Sequence, residues 1–417
     1  MKLIYNLFLF VCVFLIRTMA LHDAKARKWI DGRKNWRKEL LKKRKPDEKW
    51  IWFHCSSVGE YEDSCIIFSE ILKQCPEKKS ILTFFSPSGY ELLKESPDYD
   101  LVMYLPLDTK KNAKDFLAIL KPQVILFSRS ELWYNLIVEI KKRKIPAFLL
   151  SLKLNNKSSF IKWPPRILSK DCFTAYTFIY CQDELTQKLL IKYFNVFNNV
   201  VTGNPRFDKI YKESMSLKTI PCIMQFVENS FVIVAGSVLP KDEEKILKVI
   251  KCLDKYNIKF IIVPHEIKNE RIDYTINKIP GKAIRYSDIH KLTGFHNILY
   301  IDFVGALKYL YKYANFAVIG GGFDHIGIHN IVEPAVYGVK TAFGPNHKNY
   351  REAIDLIKIG GATIYNNESE LLNIITNEIE NPSDVAIKNE IMDYVRTNAG
   401  AGKKITDSLI TQFSELF

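Results

Sequence analysis

Glu60 closes the stretch Ser57-Val58-Gly59-Glu60, which follows a strand-like run, Trp50–Cys55. An amphipathic helix pattern comes next, with Ile66, Ile67, Phe68, Ile71 and Leu72 at its apolar positions. A carboxylate at the start of such a helix can serve as a general base. It must reach an acceptor hydroxyl and be ionised at neutral pH, and a helix N-terminus favours the ionised form. The same spacing, Ser-x-x-Glu, also makes a capping box, and spacing alone favours the cap. A second acidic candidate lies in Ser130-Glu131-Leu132-Trp133-Tyr134-Asn135, after the strand-like run Val124–Phe127. Glu131 and Asn135 stand four residues apart, one helical turn, so both can face one wall of a cleft. The plainer reading is a helix start with a packed Trp133.

Anion-binding candidates cluster further along. The stretch Ala317–Glu352 runs from an apolar strand into three consecutive glycines, Gly320, Gly321 and Gly322. A polar turn with His325, His329 and Asn330 follows, and then Glu333-Pro334 opens a helix that ends near Gly338. Strand, glycine turn and helix N-terminus together suit a phosphate. The spacing does not fit G-x-G-x-x-G, so no dinucleotide fingerprint is present. Ala235-Gly236-Ser237 is a second phosphate cradle. Arg206, beside the Gly203 turn, can grip a phosphate with two parallel hydrogen bonds or simply sit as a charge at a hinge. His265, His325, His329 and His347 show no H-E-x-x-H-type spacing. Neither a nucleophile elbow nor a G-x-x-x-x-G-K-[ST] loop occurs, and no metal site is predicted.

The elements that must carry these residues alternate between strand and helix patterns. Seven strand-like runs occupy the first half, beginning at Trp50, Ile81, Leu101, Val124, Ala147, Phe178 and Val200. Six more begin at Phe231, Phe260, Ile298, Phe316, Lys340 and Ala362. Such alternation predicts an α/β protein with parallel sheets covered by helices. Two Rossmann-like domains are expected, 48–205 and 229–395, with a linker at 206–228 and a C-terminal helix at 396–417. Open α/β sheets bind ligands at the carboxyl ends of their strands, which places the site in a cleft between the domains.

Charge and hydropathy add a location. The 417 residues carry a formal net charge of +14. Residues 22–50 hold 12 Lys/Arg and 5 Asp/Glu, so 12 − 5 = +7, half the total. A nucleic-acid binder would spread this charge over its folded faces, whereas here it follows an apolar run, Leu3–Ile16. Residues 1–20 therefore read as a membrane anchor and 21–47 as a basic segment at an anionic membrane surface. The run is shorter than the ~20 residues of a comfortable span. A secretory signal is the alternative, but Arg17 stands where a cleavage site should be small and neutral, and the basic segment opposes export. Eight cysteines without a C-x-x-C pair read as reduced thiols in a cytosolic compartment.

Taken in order, the motifs resemble those of the 3-deoxy-D-manno-octulosonic acid (Kdo) transferases of lipopolysaccharide synthesis. The matching pieces are the anchor with its basic follow-on, SVGE at Ser57–Glu60, ELWYN at Glu131–Asn135 (usually ELWPN) and VTGNPRFD at Val201–Asp208. GGGFDHIGIHNIVEP at Gly320–Pro334 and FGPNHKNYRE at Phe343–Glu352 complete the set, in a form similar to Bacteroidetes-type members. The resemblance implies a GT-B fold and a metal-independent, cofactor-free, inverting transfer of Kdo. The donor would be CMP-Kdo and the acceptor the 6′-hydroxyl of a lipid A precursor, at the cytoplasmic face of the inner membrane. It further implies that Glu60 is the base and that Arg206, Ser237, Gly321, Gly322, Asn330 and Glu333 contact the donor, with Glu333 on the ribose hydroxyls. Ser57, Glu131, Asn135 and Lys153 fall on the acceptor side. The sequence departs from the family at Val238 and Leu239, which replace Thr and His, at Lys153, which replaces Arg, and at Phe127–Ser130, which loses the acidic residue of the usual M-E-T and introduces Arg129. Two other readings remain: a GT-B transferase using a UDP-sugar, such as a lipid-A-disaccharide-synthase-like enzyme, and a non-catalytic, membrane-associated sugar-nucleotide-binding protein.

Overall fold

A computed structural model describes residues 1–45, 47–216, 218–279, 281–325 and 327–417. Pro46 of the basic segment, Leu217 of the expected linker and Ile326 of the glycine motif lie outside the described residues. The chain divides into two compact units, residues 1–209 with 398–417, and residues 210–397.

The first unit is built on a seven-stranded sheet: β1 (Trp50–Cys55), β2 (Lys79–Phe84), β3 (Leu101–Tyr104), β4 (Pro122–Ser128), β5 (Ala147–Leu152), β6 (Phe178–Cys181) and β7 (Asn199–Val201). The order is β3-β2-β1-β4-β5-β6-β7, with every pairing parallel. β1 is apolar almost throughout because both its faces are covered. Trp50 and Trp52 join one core, and Ile51, Phe53 and Cys55 the core on the opposite face. The C-terminal helix, Ala401–Gln412, inserts Ile405 and Leu409 into that second core. It is therefore part of the first unit. The Asp208 carboxylate ties it there, accepting the Gly400, Ala401 and Gly402 N–H groups at 3.0, 3.1 and 3.1 Å.

The second unit holds β8 (Phe231–Val238), β9 (Ile258–Pro264), β10 (Ala283–Arg285), β11 (Ile298–Tyr300), β12 (Phe316–Ile319), β13 (Lys340–Phe343) and β14 (Ala362–Ile364). Its sheet is again fully parallel, in the order β10-β11-β9-β8-β12-β13-β14. The two parallel sheets under helices are the expected architecture. β10 was not anticipated, because three residues leave too short an apolar run to read. The expected linker, 206–228, contains helices Arg206–Ser214 and Ile223–Val227, and the division between units falls at Lys209.

The basic segment is folded onto the first unit. Helices Ala24–Asp31 and Trp36–Lys43 bury Trp29, Trp36 and Leu40. Arg33 is buried between aromatic rings, 4.1 Å from Trp29, 4.8 Å from Tyr104 and 4.9 Å from Phe85. Its guanidinium donates to the Trp29, Phe85 and Leu105 carbonyls. Burial lowers its pKa to about 9. The N-terminal helix, Lys2–Met19, has no fully buried residue, and it alone among the described residues is long and apolar enough to cross a membrane. Its half-buried positions, Tyr5, Leu9, Cys12, Val13, Ile16 and Ala20, fall on one helical face, and that face turns toward the first unit.

Candidate functional site

The parallel strands of the first sheet end side by side, so the residues following β1, β4 and β5 meet at one edge. Glu60 enters from helix Val58–Gln74, which follows β1. The capping box is real. The Glu60 carboxylate accepts the Ser56 and Ser57 N–H groups at 2.5 and 3.1 Å, while the Ser57 hydroxyl accepts the Glu60 N–H at 3.5 Å. Capping does not exhaust the residue, because Glu131 arrives from the loop after β4 and its carboxylate neighbours that of Glu60. Burial first, and the Glu131 charge second, push the Glu60 pKa up to about 8. The expectation that a helix N-terminus keeps Glu60 ionised is thus corrected: desolvation and a second carboxylate outweigh the cap. Glu131 moves the other way, held in its charged form against burial by His54 and by hydrogen bonds from Ser56 and Glu60. The two carboxyls are thus driven in opposite directions, Glu60 up and Glu131 down.

His54 is the residue the sequence did not flag. It is fully buried on β1, with Nδ1 2.8 Å from Thr83 Oγ1 and 3.0 Å from the Thr83 carbonyl. Its Nε2 lies 3.4 Å from Glu131 Oε2 and 3.2 Å from the Trp133 indole nitrogen. A histidine inside an otherwise apolar, doubly covered strand is the signal that could have found it. Asp63, one turn beyond Glu60 and fully buried, forms a second polar knot. It accepts Arg206 Nε at 2.7 Å and also pairs with Arg129. Arg206 therefore belongs to the first unit, on the carboxylate side.

Glu131 and Asn135 do not share a cleft wall. Helix Tyr134–Arg143 begins too late to include Glu131, so the assumed helical turn between the two is absent. Asn135 Nδ2 instead donates to the Asp108 carbonyl at 2.6 Å and to Asn6 Oδ1 at 2.9 Å. Asp108 caps this helix, accepting the Asn135 and Leu136 N–H groups at 3.0 and 2.8 Å. Lys153 follows β5 directly and is half-buried.

In the second unit, Ser237 lies near the end of β8, Gly321, Gly322 and Asn330 in the loop after β12, and Glu333 in the helical turn that follows. Ser237 has a φ of +52° and sits at a bulge between Gly236 and Val238. A Cβ on Gly320 would lie 2.2 Å from the Ser237 carbonyl oxygen, and one on Gly322 2.4 Å from the Gly344 nitrogen. The glycines let backbone pack on backbone. The Gly321 N–H donates to the buried Asp242 carboxylate at 2.9 Å, and the Gly320 N–H to the Gly236 carbonyl at 2.9 Å. Two of the three glycine amides expected to cradle a phosphate are thus engaged by the protein. The helix expected from Glu333 to near Gly338 is a single turn, Val332–Ala335. Asn330 holds this turn, accepting the Val332 N–H at 3.2 Å and donating to Glu333 at 3.0 Å. Beside it the His265 and His329 rings stack at 4.4 Å. Burial and the neighbouring ring lower the His329 pKa to about 4, so it is neutral at pH 7. No group of three or more His, Cys, Asp or Glu side chains among the described residues is placed to hold a metal ion.

Comparison with known proteins bears on both units. Residues 33–209 match the family profile of the 3-deoxy-D-manno-octulosonic-acid transferases (kdotransferases). A 3-deoxy-D-manno-octulosonic acid transferase of Aquifex aeolicus is 29% identical, over 84% of this chain and 93% of its own length. One from Chlamydophila psittaci is 28% identical, over 80% and 78%. A bifunctional glycosyltransferase/methyltransferase of Fusobacterium nucleatum is 30% identical over 75% of this chain, and the chain spans only 49% of that protein. Among solved structures, UDP-GlcNAc 2-epimerase from Neisseria meningitidis superposes with a TM-score of 0.60 at 16% identity, covering 87% of this chain and 99% of the epimerase. A glycotransferase of kitacinnamycin gives 0.53 at 12%, covering 88% and 100%. These two likenesses concern the fold alone, which is GT-B. The first unit thus matches the profile of the 3-deoxy-D-manno-octulosonic acid (Kdo) transferases, and relatives of that name are matched across both units.

Proposed function

We propose that the protein transfers Kdo from CMP-Kdo to the 6′-hydroxyl of a lipid A precursor, with inversion and without a metal. The observation that carries the reading is the coupled Glu60–Glu131 pair at the strand ends of the family-matched unit. A base with a pKa near the working pH combines a usable ionised fraction with driving force for proton abstraction. Once Glu60 has lost its proton, it takes that of the acceptor hydroxyl while the hydroxyl oxygen attacks the anomeric carbon of Kdo. The bond to CMP breaks, and CMP leaves with the electron pair. One displacement inverts the configuration. Glu131, fixed by His54, keeps Glu60 basic. Ser237, Gly321, Gly322, Asn330 and Glu333 are the residues we assign to the donor nucleotide, Glu333 to its ribose hydroxyls. We assign Ser57, Asn135 and Lys153 to the acceptor side as positioning residues, and Arg206 to positioning through Asp63. We place the reaction at the cytoplasmic face of the inner membrane, with Lys2–Met19 as the anchor. This is supported by the exposed apolar helix and the adjacent +7 charge (12 − 5) of residues 22–50.

The test is the product mass from the full chain incubated with lipid A precursor and CMP-Kdo. Addition of Kdo to the precursor is expected, and a UDP-sugar in place of CMP-Kdo should give no product. No transfer from CMP-Kdo alongside transfer from a UDP-sugar overturns the reading.

A further inference from the structure

The N-terminal helix is more than a tether, because its docked position creates a groove. The cavity measures about 490 Å³ and lies within the first unit. One wall is Asn6, Leu9, Phe10, Val13, Phe14 and Arg17, and the floor is Leu107–Thr109. The wall residues recur at three- and four-residue intervals, so they form one face of the helix. From position 6 to position 17 that face runs about 16 Å, at about 1.5 Å per residue. The middle of the groove is apolar. Its two ends are polar, with Arg17 at one and Asn6, bonded to Asn135, at the other.

The helix is fixed where the groove needs it. Tyr5 donates its hydroxyl to Asp108 at 2.6 Å and packs against Tyr134 at 5.7 Å between ring centroids. Asp108, on the groove floor, is the same carboxylate that caps helix Tyr134–Arg143. Going back along the chain from that cap, Trp133 bonds His54, and Glu131 stands beside His54 and Glu60. The segment Glu131–Asn135 thus has the carboxylate pair at one end and the groove at the other. Phe10 and Phe14 are 70% and 58% exposed, so the groove opens along the apolar surface of the anchor.

We propose that this groove seats an acyl chain of the glycolipid acceptor, making the anchor helix one wall of the acceptor site. The assignment rests on the acceptor being a lipid, as read above. A glycolipid lying in the bilayer would keep its chain against an apolar helix face while its sugar reaches Glu60.

The experiment uses the full chain in mixed micelles with two acceptors, the acylated disaccharide precursor and the same disaccharide with its chains removed. Val13→Trp fills the groove. The KM for the acylated acceptor should rise by about tenfold or more, since buried methylene contacts are lost. The KM for the deacylated acceptor and kcat on both should hold within about twofold. A Val13→Trp effect equal on both acceptors, or absent on both, overturns the assignment. Wild-type protein is also irradiated with an acylated precursor carrying a mid-chain diazirine, which reads the groove whether or not transfer occurs. Labelling of Leu107–Thr109 or Leu9–Phe14 is expected. Labelling elsewhere, or equal labelling by a photoactivatable phosphatidylglycerol, overturns it. Failure of the wild type to transfer Kdo to either acceptor, with the groove labelled, would count against the reading of function and leave the groove standing.

Discussion

The polar residues of the two units are held in opposite ways. Around Glu60 the partners come from distant segments: Glu131 and Trp133 after β4, His54 on β1 and Thr83 on β2. Most are fully buried, and burial sets the Glu60 and Glu131 carboxyls against each other, raising the pKa of one while the other is lowered. Around Gly320–Glu333 the long-range bonds are made by backbone groups, such as the Gly321 N–H to Asp242, whereas Asn330 bonds Glu333 locally, and both of those side chains are half-buried. Buried long-range carboxylates hold a proton to give or take, and they are costly enough to keep only where they are satisfied or used. The glycine turn of the second unit is fixed by backbone packing and by the buried Asp242, and its half-buried rim of Asn330 and Glu333 suits recognition. The proposed division gives the chemistry to the first unit and the donor to the second.

The largest expected effect tests that division directly. Glu60→Gln keeps the acceptor oxygen for the Ser56 and Ser57 amides but cannot take a proton. Turnover should fall by ~10²–10⁴-fold while CMP binding, followed by calorimetry, is unchanged. Its stability should separate the cap from the base. A carboxyl raised to about 8 is still protonated where the unfolded chain has already lost its proton, so its contribution to stability falls as pH rises from the ordinary carboxylate range toward 8. Glu60→Gln should therefore match wild type in melting temperature near pH 4 and exceed it near pH 9. A loss of stability at both values would restore a purely structural role.

The pH profile is the next largest effect. With the ionised base required, kcat/KM should rise about tenfold per unit up to a limb near pH 8 and level off above it. Glu131→Gln removes the neighbouring anion and should move that limb to lower pH; a limb that stays in place breaks the coupling.

In the second unit the effects should be smaller and thermodynamic. Asp242 accepts the Gly321 and Leu239 N–H groups from a fully buried position. Asp242→Ala leaves two amides unmet and should cost ~1–3 kcal/mol, read by denaturant unfolding, with weaker CMP binding. Full stability with lost CMP affinity would instead make Asp242 a direct ligand. Glu333→Ala should change stability least, by ~0.3–1 kcal/mol at a helix start, yet still weaken CMP binding. Unchanged affinity with a lowered melting temperature would reduce Glu333 to the cap of a single turn.

Much of the fold was legible in the chain because periodicity is a local property. The apolar runs at Trp50, Phe178, Phe231, Phe316 and Lys340 are strands beginning at those residues. β10 escaped because Ala283–Arg285 is too short to show a pattern. The Ser57–Glu60 cap was also legible, since a capping box is set within four residues. The Glu131–Asn135 geometry was misread because helical spacing was assumed where the chain is extended and the helix starts at Tyr134.

By itself, the sequence determined that there are two parallel α/β units, that the chain opens with an apolar helix beside concentrated positive charge, and that Glu60 stands at a helix start. Each follows from residue types within one turn or one strand. Tertiary structure alone decided that the Glu60 pKa is raised, because that depends on Glu131 reaching it from another strand and on both leaving water. It alone decided that Arg206 serves Asp63 from the first unit, and that residues 398–417 complete that unit's core. The groove under the anchor helix belongs with these, since Tyr5 meets Asp108 across 103 residues of chain. Burial and contact between distant segments set charge states and cavities, and no local pattern encodes them.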